Sequence, residues 1–230
     1  MARLVLMAAV CCAASAFAAL AAEDQERAAA ARPPAPSLTR PASPVKPAGA
    51  DGFIQRWLLL DPIRVPGQLT EAAVRSAVEK DFPVMATPLP HDGDALAVGG
   101  SELKWHAVDT TRYNVNLYHF AYALNKPTTN VLFWAVTVVN APREMSGVRL
   151  AIGSNAASVW WVNDVEATAL YNDRQAVIDD GVSKRLTLKA GANVVRAAIV
   201  NAGGATDFCA RFLDANDRPI TALTAALPAR

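Results

Sequence analysis

Nine consecutive residues, Val131-Leu-Phe-Trp-Ala-Val-Thr-Val-Val139, constrain the fold of this chain more than any other segment. The run is too short to cross a bilayer as a helix, which takes about 20 apolar residues, and its β-branched side chains favour extended backbone. It suits a strand buried on both faces. Shorter strand-like segments surround it. Trp57-Leu-Leu-Leu60 is an apolar strand stopped by Asp61-Pro62, and Leu103 to Val108 and Tyr113 to Phe120 follow beyond Gly99. Val148, Leu150 and Ile152 alternate with Arg149 and Ala151, and Leu186 and Leu188 with Arg185, Thr187 and Lys189. Val195, Ala197 and Ile199 alternate with Arg196, and Phe208 and Phe212 with Cys209 and Arg211. A period of two marks strands with one inward face. Val159 to Val162 runs into Asn163-Asp164, a hairpin turn, since both residue types tolerate left-handed backbone angles. Thr70 to Phe82 is the one convincing helix. Thr70 can cap it, Ala73, Val74, Ala77 and Val78 form an apolar stripe at helical spacing, and Pro83 ends it. About nine strands with regular turn signals and one helix predict an all-β fold: an antiparallel β-sandwich of jelly-roll type with one peripheral α-helix.

The N-terminal residues have a different character. Residues 1–22 read as an export signal: Arg3 precedes an uncharged apolar stretch, and Ala19-Leu20-Ala21 or Ala16-Phe17-Ala18 fits a cleavage site. A short membrane anchor is the other reading of the same run. Residues 23–51 are rich in alanine and proline and read as a disordered linker. The folded domain is expected over 52–220, with a tail over 221–230. Cleavage would leave a secreted or periplasmic protein with no membrane span. Cys209 would then be its only cysteine, so no intramolecular disulfide could form. The formal net charge is +1, and neither sign of charge forms a run. Such a chain has no field to gather nucleic acid.

Signatures of catalysis are scarce. Gly181-Val-Ser-Lys-Arg185 lacks the closing glycine of a nucleophile elbow, and no phosphate loop, H-E-x-x-H or C-x-x-C is present. His91, His106 and His119 are far apart in sequence, the last two in strand-like segments that suit hydrogen-bonded structural roles. Cys209 lies in the polar-facing phase of its strand and reads as a passive cysteine. The acid pairs Asp92/Asp94 and Asp179/Asp180 each sit in one glycine-containing loop, an unsuitable arrangement for carboxylates that must flank a scissile bond. No cofactor is implied. Asp92 and Asp94 could offer carboxylates to a structural Ca²⁺, a cation that takes six to eight oxygens; a solvated turn is the simpler reading.

Aromatic residues are the remaining lead. Adjacent strand residues face opposite ways, so Trp160 and Trp161 cannot both enter the core face of one sheet. Tyr171, Asn172, Asp173 and Arg174 follow that hairpin and combine a ring plane with an amide, an acid and a guanidinium. Together these six residues form a candidate carbohydrate site. The same residues could instead pin loops over the sandwich.

The order of several short motifs resembles a known group. Ile152-Gly-Ser-Asn155, Val159-Trp-Trp-Val-Asn163, Leu186-Thr-Leu-Lys-Ala-Gly-Ala-Asn193 and Asp207-Phe-Cys-Ala-Arg-Phe212 occur in the sequence and spacing of galactose-binding-domain-like jelly rolls. Trp57 to Pro62 resembles their opening strand. Asp61, Asp164 and Ala192 depart from the usual residues. In this pattern Gly153 and Gly191 are expected at turns, and Asn163 and Asn193 at hairpin ends. The resemblance implies a non-catalytic carbohydrate-binding or accessory module, taking a polysaccharide or oligosaccharide and partnered by a glycoside hydrolase or esterase. An envelope interaction protein without a small ligand, and a hydrolase with an unrecognised site, are the alternatives.

Overall fold

The computed structural model describes residues 37–80 and 89–229. The expected export signal, the first part of the expected linker and Pro83 lie outside the described residues. In chain order the strands are β1 (Leu38–Thr39), β2 (Val45–Pro47), β3 (Arg56–Leu60), β4 (Ile63–Arg64), β5 (Ala95–Val98), β6 (Ser101–Thr110), β7 (Val115–Asn116), β8 (Val131–Ala141), β9 (Met145–Ser154), β10 (Ala157–Val162), β11 (Val165–Leu170), β12 (Gly181–Val182), β13 (Leu186–Leu188), β14 (Gly191–Asn201), β15 (Asp207–Leu213) and β16 (Thr224–Ala226). Two helices accompany them among the described residues, α1 (Glu71–Lys80) and α2 (Leu117–Ala123).

Among the described residues all strand pairs are antiparallel. A sheet of eleven strands is ordered β1-β6-β3-β8-β14-β10-β11, with β16, β2, β4 and β5 joined at its margins. A sheet of five is ordered β12-β9-β15-β7, with β13 on β9. The chain crosses between sheets from β8 to β9, from β9 to β10 and from β14 to β15, which makes the two sheets one sandwich. The expected Val131–Val139 run is the middle of β8, and its longest pairing, with β14, runs from Val131↔Asn201 to Ala141↔Gly191.

The larger sheet is buried on both faces, and alternate residues go to two separate cores. Trp57, Leu59, Phe133, Ala135, Trp160, Ala197 and Ile199 point inward to Leu150, Ile152, Phe208 and Phe212 of the smaller sheet. Leu58, Leu60, Leu132, Trp134, Trp161 and Val200 point outward and pack beneath Val74 and Val78 of α1. This double burial explains why the central strands read as continuous apolar runs. Helix α1 opens where the Val74 N–H donates to the Thr70 carbonyl at 2.9 Å, and of the predicted stripe Val74 and Val78 are buried while Ala73 and Ala77 are half-buried.

Several expectations need correction. Tyr113 to Phe120 is not one strand: it breaks after β7 into α2, so the sandwich has a second helix. Asn116 caps α2 by accepting the His119 N–H at 2.7 Å, and Leu117, Phe120 and Ala121 bury one helical face. His119 accordingly lies on a helix. The expected linker is structured from Ser37 onward and the expected tail is not loose. β1 pairs with β6, and β2 pairs with β16, which itself continues the sheet beside β8. Beneath β2 lies an ion pair with no sequence signature. Arg56, 1% exposed, donates to both carboxylate oxygens of Asp109 at 2.8 and 2.9 Å and to the Ser43 carbonyl at 2.7 Å. Prolines there fix extended backbone, which a sheet edge accommodates as readily as solvent does.

Gly191 has φ +80 at its turn, as expected. Gly153, however, sits inside β9, where an added Cβ would stand 2.2 Å from the Val177 carbonyl oxygen and 3.0 Å from the Cys209 sulfur. Close approach, not turn geometry, requires glycine there. The same loop covers Cys209, which is buried although its phase is the polar one.

Candidate functional site

The β10–β11 hairpin turns tightly because Asn163 and Asp164 both adopt left-handed angles, φ 49 and φ 67. The turn is then locked from the side. The Val194 N–H donates to the Asn163 side-chain oxygen at 2.9 Å, and the Asn163 amide donates to the Asn193 oxygen at 2.9 Å. Asn193, fully buried, also accepts the Lys189 N–H and donates to the Lys189 carbonyl, both at 2.9 Å. Two asparagines thus bind the hairpin tip to the β13–β14 turn, the hairpin-end role expected of them.

This arrangement holds apart the free edges of the two sheets. Between them lies an open cleft of about 520 Å³. One wall is Val162, Asn163, Val165, Glu166 and Ala167 on the hairpin; the other is Lys184, Arg185, Leu186, Thr187 and Lys189 on β13 and its flanks. Val162, Ala167 and Leu186 make an apolar floor, and charged or hydroxyl-bearing groups stand at the rim. Glu166 is held from outside by Arg75 of α1, which donates to both its oxygens at 3.0 Å and to Glu71 at 3.0 Å. Those bonds, Glu166 first, hold the guanidinium well above its ordinary pKa.

The six residues expected to form a sugar site are separated by the fold. Trp160 is wholly buried in the inner core, its ring 6.0 Å from that of Trp57 and 5.4 Å from that of Phe208. No face of it can meet a ligand. Trp161 does take the opposite face, but α1 covers that face, and the ring stacks on Trp134 at 5.9 Å. Only its margin reaches a smaller groove of about 190 Å³ shared with Arg75, Val78, Glu79, Val159 and Glu166. Tyr171 packs on the same outer core beneath the Arg75 guanidinium, 5.8 Å from its centroid, and burial pushes its phenol above the ordinary pKa. The Asn172 N–H donates to the Leu69 carbonyl at 2.8 Å, and Arg174 pairs with Asp180. Asp173 is exposed. These residues fasten the 171–180 loop. The hairpin itself is a wall of the larger cleft, though through other residues.

Asp61, Asp92, Asp94 and Asp179 are engaged in structural bonds. Asp92 accepts the Ala107 N–H at 2.8 Å and Asp94 the His91 N–H at 2.7 Å, so both carboxylates brace a turn closed by Gly93 at φ 85. Among the described residues no group of three or more His, Cys, Asp or Glu side chains is placed to hold a metal ion. Asp179 pairs with Arg211. Asp61, 3% exposed, accepts from His106 at 3.0 Å and Lys126 at 3.1 Å, which ties the β3–β4 corner to β6 and to the loop after α2.

Burial pushes the Cys209 thiol from its ordinary 9.0 to about 12. In the native full chain at pH 8, the Cys209 peptide should therefore resist iodoacetamide and label only in denaturant, as read by mass spectrometry. The neutral thiol favours the fold fully below about pH 9, and that contribution is lost as pH rises toward 12. Rapid native labelling would show that the loop over Cys209 opens.

Sequence reasoning missed Glu166, Lys184, Thr187 and Lys189 as cleft residues. The alternation of Leu186 and Leu188 with polar neighbours showed which side of β13 is wet. Nothing in the sequence showed that β13 would face β11, since they lie in different sheets.

No protein-family model matches the chain, and no curated protein matches it in sequence. Among solved structures it is similar to the PA14 sugar-binding domain of an RTX adhesin, at 10% identity over 76% of this chain and 99% of that one, with a TM-score of 0.44. The PA14 domain of the MpAFP antifreeze protein gives 10% identity, 83% and 96% coverage, and 0.44. A β-glucosidase from Kluyveromyces marxianus gives 15% identity over 68% of this chain, which spans only 16% of the enzyme, and 0.39. Likeness at these scores is too loose to transfer a ligand or a site.

Proposed function

We propose that this sandwich is an exported, non-catalytic carbohydrate-binding or accessory module whose ligand site is the cleft between β11 and β13. The cleft carries the reading. Its volume of about 520 Å³ falls within the roughly 300–1,000 Å³ of small-ligand sites. An apolar floor under a hydrogen-bonding rim suits a sugar ring, which offers a C–H face and a ring of hydroxyls. The motif order that resembles galactose-binding-like jelly rolls supports the same class, with a glycoside hydrolase or esterase as partner. Absence of catalysis is part of the proposal. It is supported by the engagement of Asp61, Asp92, Asp94, Asp179 and Asp180 in structural bonds and by the buried thiol of Cys209. Secreted or periplasmic export rests on residues 1–22. Among the described residues no helix is long and apolar enough to cross a membrane.

One observation favours the envelope-interaction alternative: Val165, Val177, Ile178 and Val182 are exposed at 70, 53, 44 and 38%. The two readings part in one experiment. Neutral xylan, galactan and mannan oligosaccharides titrated into the isotopically labelled protein should shift resonances of 162–167 and 184–189. Affinity should be on the order of micromolar to millimolar, about −8 to −4 kcal/mol. Thr187→Trp, at an exposed rim position, should fill the cleft and abolish binding with stability changed by no more than about 0.5 kcal/mol. Failure of every glycan, neutral or acidic, to move these resonances would sink the carbohydrate reading in favour of a protein-facing role.

A further inference from the structure

The cleft between β11 and β13 carries an unbalanced charge. Lys184, Arg185 and Lys189 stand on one wall, and among the described residues Glu166 is the single carboxylate on the other. These four groups are not equivalent. Glu166 is already matched by Arg75 through two hydrogen bonds of 3.0 Å. Arg185 donates to the Gly147 carbonyl at 2.7 Å and reaches Asp217 at 3.4 Å. Lys184 and Lys189 are exposed and have no carboxylate at ion-pair distance among the described residues. Two uncommitted ammonium groups therefore border an apolar floor made by Val162, Ala167 and Leu186.

We infer that this cleft selects anionic saccharides, those carrying a carboxylate or a sulfate ester, over neutral ones. The inference rests on the saccharide reading above and names its ligand class. An ammonium is a compact point charge on a flexible stem, so it receives either anion without a fixed bidentate geometry. A cleft with apolar walls and one sign of charge focuses the field and raises the local concentration of counter-charged ligand. The attraction is between solvent-exposed groups, so salt weakens it over a Debye length of about 8 Å at physiological ionic strength.

The test titrates the full chain with a galacturonate trisaccharide, a sulfated galactose trisaccharide, and neutral galactose and xylose trisaccharides, at low and at high salt. One or both anionic sugars should bind about tenfold more tightly than the neutral ones, the order expected of two exposed ion pairs. The advantage should shrink at high salt. Lys184→Gln with Lys189→Gln should bring the anionic affinity down to that of the neutral sugars, lower anionic affinity far more than neutral affinity, and leave the melting midpoint in place. The two anionic probes separate carboxylate from sulfate as the group read. Equal affinity for charged and neutral sugars, unmoved by the lysine changes, would overturn the anion preference and leave the saccharide reading standing. Silence toward every sugar would overturn both. Poly-aspartate binding as tightly as the uronate would also overturn the inference, because charge alone would then suffice.

Discussion

Asp109→Ala should destabilise the protein by about 3–5 kcal/mol, measured by urea unfolding, because it strands the Arg56 guanidinium in the interior. Arg56 is 1% exposed and gives both its carboxylate-facing donors to Asp109, while its third contact is the Ser43 carbonyl. Lys46 approaches the same carboxylate at 3.7 Å from above. The ion pair therefore fastens the 43–47 segment, with β2, onto the β3–β6 pairing. Loss of the acid leaves a charge whose desolvation is no longer offset. Replacing both partners together, Arg56→Met with Asp109→Leu, should cost much less, since apolar side chains of similar size need no partner. A loss below about 1 kcal/mol for Asp109→Ala would mean that the 43–47 segment lifts away and lets water reach the guanidinium.

Trp160→Ala should cost a comparable amount, about 3–5 kcal/mol. The indole stands between Trp57 and Phe208 in the inner core and donates its N–H to the Ser158 hydroxyl at 3.0 Å. Rings so placed meet edge to face, at 80° and 72°, the arrangement that aromatic quadrupoles favour. Truncation leaves a void that two sheets cannot close without moving. Trp160→Phe should lose less and should leave glycan affinity at the cleft unchanged. If Trp160→Phe instead abolished binding with stability intact, the ring would have to face a ligand and the assignment of the inner core would be wrong.

Glycine and asparagine positions show how far local patterns reach. Asn163-Asp164 and Gly191 announced their turns in the sequence, and the left-handed angles are there. Those signals depend only on which residues tolerate φ above zero, a property of each residue and its neighbours. Gly153 announced a turn too, yet it is a strand residue crowded by the Val177 carbonyl, a contact across 24 positions that no local pattern encodes. The α2 helix was legible in principle, since Asn116 caps it and Leu117, Phe120 and Ala121 repeat at helical spacing. Its seven residues lay within an apolar stretch where both periods could be counted.

The candidate site divides the same way. Opposite faces for Trp160 and Trp161 followed from strand geometry alone. That both faces would be dry did not, because it depends on α1 docking on the outer face of the larger sheet. The cleft is more dependent still on assembly. Its walls come from hairpin 162–167 and segment 184–189, in separate sheets, and Asn193 ties them by bonding Asn163 on one side and the Lys189 backbone on the other. By itself, then, the sequence determined the antiparallel strands, the hairpin and the first helix, all set by side-chain alternation and local backbone preference. Tertiary structure decided which faces are covered, that residues 37–50 join the sheet, and where two lysines meet an apolar floor. Those outcomes are sums of long-range contacts, and a contact between distant residues leaves no mark on either one's neighbours in the chain.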